Sequence, residues 1–256
     1  MKAVILAGGL GTRMREETEF KPKPMVEVGG KPVLWHIMKI LSAQGINEFV
    51  ICAGYKAEVI RDYFLNLKSK SLDFTIDYNQ DGSIEFLGDF AESNWKVTVA
   101  DTGQLTMTGG RIKAVEKYLN GERFFVTYGD GIANVDIQAL TQSHVDSGAT
   151  VTLTTTKPRS RFGVVKTREN GRVEAFLEKP EGSETINIGY FIMEPKVFSY
   201  LDANSVLENE PLTRLANSNE LNSYHHEGFW QPMDTQREAI LLNDLWAHGA
   251  PWKIWN

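Results

Sequence analysis

A glycine-rich loop that directly follows a short apolar run limits the possible folds of this chain more than any other feature. Residues 3–7 read Ala-Val-Ile-Leu-Ala, which is typical of a buried strand, and residues 8–13 read Gly-Gly-Leu-Gly-Thr-Arg. Glycines at the end of a strand let backbone N–H groups approach an anion closely. Arg13 and the nearby Lys23, which stands in a proline-rich stretch, add positive charge. These residues predict a cradle for a nucleoside triphosphate.

Spacing separates this loop from two other glycine motifs. A dinucleotide fingerprint has the form G-x-G-x-x-G, but Met14 occupies the third glycine position after Gly9 and Gly11. A P-loop needs a Lys-Ser or Lys-Thr pair after its glycines, and none follows here. An oxidoreductase that binds a nicotinamide dinucleotide is therefore disfavoured. A tight turn with no ligand is the plainer alternative to the cradle.

Composition and charge exclude several classes of protein. The chain has 256 residues, a formal net charge of −6 and no basic run, so it lacks the positive surface that nucleic-acid binding requires. Its one cysteine, Cys52, lies in an apolar run and predicts a core position. No apolar stretch reaches 18 residues, and the glycine loop interrupts what would resemble a signal peptide. We therefore expect a cytoplasmic protein without a membrane partner.

Helix-like and strand-like patterns alternate along the first half of the chain. Pro32 opens a helix that Gly45 closes, residues 48–53 form a strand, residues 57–67 a helix, and residues 73–78 and 95–101 further strands. Residues 80–94 break this rhythm and predict an inserted loop or hairpin. The alternation predicts an α/β fold with a parallel sheet covered by helices.

Short strands dominate from residue 149 onward. The expected strands are residues 150–156, 162–167, 172–178 and 187–193, with another near Ser223. Helices are expected at residues 195–201 and 210–218, and a last helix at residues 235–248. The tryptophan-rich tail behind it predicts a packing surface or a subunit contact rather than a ligand cage.

Two aspartates follow aromatic-rich strands. Asp130 comes after the run 123–128, and Asp234 comes after residues 229–233. Ligands of open α/β sheets bind beyond the carboxyl ends of strands, so Asp130 and the glycine loop are expected to share one crevice. Mg²⁺ usually takes one or two carboxylates and completes its shell with water and phosphate oxygens. The two aspartates therefore predict a shared Mg²⁺ site, with a turn at Asp130 and a helix cap at Asp234 as the alternatives.

The motifs taken together resemble those of the sugar-1-phosphate nucleotidyltransferases. The family's opening motif G-G-x-G-T-R, followed by a lysine before a proline-rich turn, is matched by residues 8–13 and Lys23. Within the family the chain is most similar to the members that use CTP and glucose 1-phosphate. Further matches lie at residues 6–7, 21–27, 35–38, 99–103, 107–111, 128–131, 161–163 and 228–235. The segment at residues 80–94 departs from the pattern.

The resemblance implies a fold and a division of the chain. It implies a Rossmann-like, mixed and mostly parallel sheet flanked by helices, similar to the GT-A glycosyltransferases, in a single domain over residues 1–256. About residues 1–148 would bind the nucleotide and about residues 149–235, a smaller β-rich part, the sugar phosphate. About residues 236–256 would form the C-terminal helix and tail.

The resemblance also implies a role for each matching residue. Arg13, Lys23 and Asp130 would be catalytic, and Asp130 and Asp234 would bind Mg²⁺. Residues expected to hold the nucleotide are Leu6, Ala7, Gly8, Gly9, Leu10, Gly11, Thr12, Arg13, Lys23, Thr108, Gly110, Arg111, Tyr128 and Gly129. Residues expected to hold the sugar phosphate are Gly163, Glu178, Lys179, Asn187 and Gly189.

The reaction implied by the resemblance is CTP plus α-D-glucose 1-phosphate giving CDP-glucose and pyrophosphate. In similar enzymes this product enters dideoxyhexose synthesis for surface polysaccharide. A sugar phosphate is already anionic, so neither a protein base nor a covalent intermediate is needed, and no Ser-His or Cys-His pair is evident in the sequence. UTP or dTTP as substrate and a catalytically silent regulatory subunit are the alternatives. Similar enzymes form homo-oligomers, often hexamers, and we expect one here.

Overall fold

Strands and helices alternate along the chain in a computed structural model, which describes residues 1–158, 163–178, 182 and 184–255. The strands are β1 (Lys2–Leu6), β2 (Glu27–Val28), β3 (Lys31–Pro32), β4 (Glu48–Ala53), β5 (Asp73–Asp77), β6 (Ser83–Leu87), β7 (Lys96–Asp101), β8 (Phe124–Tyr128), β9 (Gly131–Ala133), β10 (Val151–Thr156), β11 (Val164–Thr167), β12 (Val173–Leu177), β13 (Ile186–Met193), β14 (Leu221–His225) and β15 (Trp230–Pro232). The α-helices are α1 (Arg15–Thr18), α2 (Val33–Ala43), α3 (Ala57–Ser71), α4 (Thr108–Ala114), α5 (Ile137–Ser147), α6 (Glu210–Asn217) and α7 (Gln236–Ala247).

A seven-stranded sheet forms the centre of the fold, in the order β14-β10-β13-β8-β1-β4-β7. Strand β1 runs parallel to both of its neighbours, β4 and β8, and β4 runs parallel to β7. Strand β13 is antiparallel to β8 and β10, while β10 and β14 are parallel. The expectation of a mixed, mostly parallel sheet is confirmed. Strands β10, β13 and β14 extend the same sheet that carries the glycine loop.

Both faces of the sheet are covered, which explains why β1 is apolar from Ala3 onward rather than alternating. Ala3 and Ile5 point into a core that also contains residues of α2 and α7. Val4 and Leu6 point into a second core with residues of α4 and α6. Successive side chains of a strand alternate between faces, so β1 contributes to both layers.

The tryptophan-rich tail packs against its own chain. Trp252 is fully buried, stacks on Phe229 and makes ring contacts with Trp246 and His36. Trp255 contacts Trp35 edge to face. The tail therefore contributes a large apolar area to the core beside α2.

The structure departs in three details from what the sequence predicted. Strand β5 does not join the main sheet but forms a hairpin with β6, so the inserted segment begins earlier than expected. Helix α5 was not predicted at all. The helix expected at residues 195–201 is present as a 3-10 helix, Pro195–Tyr200. No helix among the described residues is long and apolar enough to cross a membrane.

The topology brings two loops together at one edge of the sheet. Strands β1 and β8 are parallel neighbours, so the glycine loop behind β1 and the turn at Asp130 behind β8 leave the sheet side by side. Strand β9 follows that turn and pairs with β15, and the Met233 backbone N–H donates to the Asp130 carbonyl at 2.8 Å. This pairing places Asp234 at the same edge.

Candidate active site

A cavity of about 680 Å³ opens at this edge of the sheet. Its volume lies in the range of small-molecule sites. Of the residues predicted to bind substrate or metal, these line it: Leu6, Ala7, Gly8, Gly9, Leu10, Gly11, Thr12, Arg13, Lys23, Thr108, Arg111, Tyr128, Asp130, Asn187 and Asp234. The cavity therefore joins residues from both the expected nucleotide part and the expected sugar-phosphate part.

Lys23 is the centre of the charged groups in the cavity. Its Nζ donates to Asp130 Oδ2 at 2.6 Å and to Asp234 Oδ1 at 2.5 Å. The other oxygen of Asp234, Oδ2, accepts from the Arg13 guanidinium at 2.8 Å. The side chain of Lys23 is 11% exposed and that of Arg13 is 72% exposed, so only Arg13 is largely solvated. Both carboxylates thus converge on the ammonium group of Lys23.

Electrostatics hold these groups in their charged forms. Burial alone would lower the pKa of Lys23, but the charges and hydrogen bonds of Asp130 and Asp234 outweigh it and raise that pKa. Burial alone would raise the pKa of Asp234, yet Lys23 and Arg13 together lower it. At neutral pH Lys23 is therefore an ammonium ion and Asp234 a carboxylate.

The two carboxylates fit a divalent cation. Oxygen atoms of Asp130 and Asp234 lie within 2.6 Å of the same nitrogen, which is close enough to share one ion. Two carboxylates are the protein ligands that Mg²⁺ commonly uses, with phosphate oxygens completing its shell. No cluster of three or more His, Cys, Asp or Glu side chains with metal-site geometry occurs in the described part of the chain. Any divalent ion held here would therefore rely on substrate oxygens as well.

Asp234 does not cap helix α7. Thr235 is the N-cap, and its side chain and that of Glu238 form a reciprocal capping box. The carboxylate of Asp234 instead contacts Lys23 and Arg13. The interpretation of Asp234 as a mere helix cap is wrong.

Arg111 ties the glycine loop to the neighbouring loop behind β7. The residue is 4% exposed, and a side chain at Gly8 would collide with its guanidinium, since a Cβ there would lie 2.1 Å from a terminal nitrogen. All of its acceptors are neutral oxygens. They are the carbonyls of Gly8 at 2.9 Å, Ala53 at 3.3 Å, Gly103 at 2.8 Å and Gln104 at 3.3 Å, and the hydroxyl of Thr102 at 2.6 Å. Arg111 is thus part of the cavity wall and holds the loops of that wall in place.

Some predicted site residues do not line the cavity. Gly110 is buried and donates its backbone N–H to the Ser205 carbonyl, and the Gly129 N–H donates to the Leu6 carbonyl at 2.9 Å. Both glycines therefore shape the wall rather than face the space. In the expected sugar part, Gly189 has φ +82° and lies against the Tyr128 ring, where any Cβ would be only 2.0 Å from a ring carbon.

Two further predicted sugar residues, Gly163 and Glu178, flank the β11–β12 hairpin. Gly163 and Glu178 are neighbours, because a Cβ at Gly163 would lie 3.2 Å from a carboxylate oxygen of Glu178. Neither residue lines the cavity. Lys179 lies outside the described residues.

Sequence reasoning missed several residues of the cavity. The wall also contains Pro24, Gln104, Leu105, Thr106, Met107, Gly131, Ile188, Trp230 and Pro232. The indole nitrogen of Trp230 is buried and has no hydrogen-bond partner among the described residues. A buried donor without an acceptor is unfavourable, so Trp230 is a candidate contact for a ligand oxygen. Five of them, Pro24, Met107, Gly131, Trp230 and Pro232, lie in segments that match the family, but the match gave them no role.

Comparison with known proteins defines the class of this protein. The model of the nucleotidyl transferase family matches residues 2–231, and the chain belongs to that family. The fold and the resemblance predicted from the glycine loop are thereby confirmed. The chain is a nucleotidyltransferase, and enzymes of this family generally use a divalent metal ion.

Similar proteins include cytidylyltransferases along the full length. The chain is 49% identical over 259 residues to glucose-1-phosphate cytidylyltransferase of Salmonella typhimurium, covering 100% of both chains. It is 44% identical over 258 residues to a probable glucose-1-phosphate cytidylyltransferase of Bacillus subtilis, again covering 100% of both. Among solved structures, HddC from Yersinia pseudotuberculosis has a TM-score of 0.71 at 24% identity, covering 96% of this chain and 99% of that one. That structure supports the fold alone.

Proposed function

We propose that this protein transfers a cytidylyl group from CTP to α-D-glucose 1-phosphate, giving CDP-glucose and pyrophosphate. The observation that carries the proposal is the convergence of Lys23, Arg13, Asp130 and Asp234 in a cavity beside the glycine loop. The choice of CTP and glucose 1-phosphate rests on the full-length identity to glucose-1-phosphate cytidylyltransferases.

The cavity suits a reaction between two anions. The phosphate oxygen of the sugar attacks the α-phosphorus of the nucleotide, and the bond to pyrophosphate breaks. Because the nucleophile is already charged, the site must mainly hold the two substrates in line and stabilise the charge that develops on the leaving group. Lys23 and Arg13 are the cations of the cavity that can move toward phosphate, since the partners of both are side-chain carboxylates at its wall.

Asp130 and Asp234 would hold the divalent ion, which we take to be Mg²⁺. When bound, this ion supplies positive charge to the phosphate oxygens of both substrates. The carboxylates that now contact Lys23 would then have another cationic partner. Lys23 would be released to donate to the α-phosphate while remaining protonated, in keeping with its raised pKa.

The glycine loop and its surroundings would hold the nucleotide, and the opposite wall would hold the sugar. Residues 6–13 line the cavity together with Arg111, Thr108 and Tyr128. Asn187 lines the same space, and its side chain accepts from the Gly189 N–H at 2.9 Å. We assign Glu178 and Lys179 to the sugar phosphate as well.

The test is pyrophosphate release from each of the four ribonucleoside triphosphates, and from dTTP, with glucose 1-phosphate and Mg²⁺. We expect kcat/KM for CTP to exceed that for UTP by well over tenfold, because a buried hydrogen-bonding group left unpaired by the wrong base costs about 1–3 kcal/mol. Comparable values for CTP and UTP would contradict cytidylyl specificity. Release from no triphosphate would instead support the silent regulatory subunit.

We also retain three expectations as parts of the proposal. Residues 1–256 form a single domain. About residues 1–148 bind the nucleotide, about residues 149–235 bind the sugar phosphate, and about residues 236–256 form the C-terminal helix and tail. The enzyme is cytoplasmic. It is a homo-oligomer, such as a hexamer, which light scattering of the purified protein would test.

A further inference from the structure

Glu208 connects two hydroxyl groups in the wall of the cavity. Its Oε2 accepts from the Thr108 hydroxyl at 2.7 Å, and its Oε1 accepts from the Tyr128 hydroxyl. Thr108 opens helix α4, whereas Tyr128 ends the central strand β8. Thr108 and Tyr128 line the cavity, but Glu208 does not. The carboxylate is exposed to solvent outside the cavity and bridges two elements of the fold.

These contacts determine where the hydroxyl protons point. An ionised carboxylate can only accept hydrogen bonds, so each hydroxyl must direct its single proton toward Glu208. The Thr108 oxygen also accepts from the Leu207 N–H at 2.9 Å. Burial and the negative charge of Glu208 raise the pKa of Tyr128, so its phenol keeps the proton. Both oxygens then have lone pairs but no proton to offer a ligand.

The position of the Tyr128 ring is fixed independently. The ring lies directly against Gly189, at which any side chain would collide with it, and it makes an edge contact with Phe191. The backbone of Leu207, next to Glu208, is held by Thr108. The orientation of the two hydroxyls is thus set by Glu208, while the placement of their oxygens is set by packing.

We propose that Glu208 is a positioning residue that makes Thr108 and Tyr128 obligatory hydrogen-bond acceptors and so selects substrates that present donor groups to this wall. The donors would be amino or hydroxyl groups of the substrate. A keto oxygen at the same place would meet a lone pair and be rejected, since sites built for one hydrogen-bonding partner discriminate strongly against its inverse. The inference rests on the proposed function only in naming the substrates that supply these groups.

The test is the variant Glu208→Gln, in which the amide nitrogen donates and one hydroxyl is freed to point its proton into the cavity. Three ratios of kcat/KM are measured: CTP over UTP for an amino donor, CTP over 2′-deoxy-CTP for a ribose hydroxyl, and glucose 1-phosphate over its 2-deoxy analogue for a sugar hydroxyl. We expect at least one ratio to fall by about tenfold, which corresponds to one charge-assisted hydrogen bond. The ratio that falls identifies the donor.

The matched control is Glu210→Gln, because Glu210 lies two residues away, is exposed and pairs with Arg214 at 3.0 Å outside the cavity. It should leave all three ratios unchanged. Should Glu208→Gln melt at a markedly lower temperature, Thr108→Val removes the acceptor oxygen directly and should lower the same ratio, whereas Thr108→Ser should preserve it.

A purely structural role for Glu208 would lower the fraction of active enzyme and leave the ratios intact. Three unchanged ratios in folded Glu208→Gln, or in Thr108→Val, would therefore overturn the proposal. The proposed function fails in a different way, because it is judged on wild-type enzyme alone. If the wild-type protein prefers another triphosphate, the same ratios are measured with that substrate.

Discussion

Lys23 and Arg111 are two buried cations that line one cavity, yet their surroundings differ. Lys23 contacts two carboxylates at 2.6 Å or less, while the guanidinium of Arg111 contacts only neutral oxygens of the backbone and one hydroxyl. The ammonium ion of Lys23 can exchange its partners for phosphate if a metal ion takes its place. The planar fork of Arg111 has no such replacement for its acceptors. Lys23 can thus change its hydrogen-bond partners when substrate binds, whereas Arg111 keeps the same acceptors throughout.

Because of this difference, we expect Lys23 to act mainly on the transition state and Arg111 mainly on nucleotide binding. A cation that moves to the reacting phosphate acts mainly on turnover, whereas a cation that fixes the glycine loop acts mainly on the shape of the nucleotide site. Variants on the two sides should therefore change kcat and KM in different proportions.

Replacement of Lys23 by alanine should have the largest effect. We expect Lys23→Ala to lower kcat by about a hundredfold, which is typical for loss of one preorganised donor to a developing charge. Asp130 and Asp234 would then repel each other, so the melting temperature of this variant should rise more with added Mg²⁺ than that of the wild type. Lys21→Ala is the control in the same proline-flanked loop, and near wild-type turnover of Lys23→Ala would contradict the assignment.

The carboxylates should rank next. Asp130→Asn and Asp234→Asn should each lower activity by at least about tenfold, because both would weaken binding of the divalent ion. A titration of activity against Mg²⁺ and Mn²⁺ should show a higher half-saturating concentration and partial rescue at high metal. The exposed Asp146→Asn is the control. An unchanged metal dependence in either variant would exclude shared coordination.

Arg111→Lys should have a smaller effect, which falls on nucleotide binding rather than on turnover. Lysine has fewer donors than arginine, so some of the oxygens around the glycine loop would lose their partner at about 1–3 kcal/mol each. We expect a lower melting temperature and a nucleotide dissociation constant raised about tenfold by calorimetry, with kcat less affected. Arg214→Lys, on the exposed face of α6, is the control. A fall confined to kcat would remove the distinction between the two cations.

The cavity was partly predictable because its first residues carry a local pattern. The glycine loop with Lys23 is contiguous, and the strand-end positions of Asp130 and Asp234 follow from the topology of an α/β sheet. Glu208 carries no such pattern, since its role depends on contacts with residues about a hundred positions away in sequence, such as Thr108. Residues of this kind are found only once the chain is folded.

The helices and strands were also predictable only where a local pattern marks them. Strand β4 was predicted with its observed bounds because it is a continuous apolar run, buried along nearly its whole length. Helix α5 was missed although Asp136 caps its start and Gly148 ends it in the left-handed region, two signals that were present in the sequence. Strand β5 has no buried face, so its pattern could not indicate which sheet it joins.

His36 is a third buried basic group, and unlike Lys23 and Arg111 it is buried without charge. Burial lowers its pKa to about 4. Its Nε2 lies 2.8 Å from the Val28 carbonyl, and its Nδ1 lies 3.4 Å from the Trp252 indole nitrogen. The folded state therefore resists protonation while the unfolded state takes up a proton near pH 6.5.

The expected consequence is a loss of stability in acid. The contribution of His36 is fully present above pH 6.5 and is lost as the pH falls toward 4, by up to about 3 kcal/mol of unfolding free energy. Guanidinium unfolding of wild type and His36→Gln over this window would measure it. The variant should lose less stability than the wild type between pH 6.5 and 4, whereas His248→Gln, at an exposed position, should follow the wild type. Equal slopes for wild type and His36→Gln would mean that His36 is protonated in the folded protein, and that charge is tolerated beside α2 as it is around Arg111.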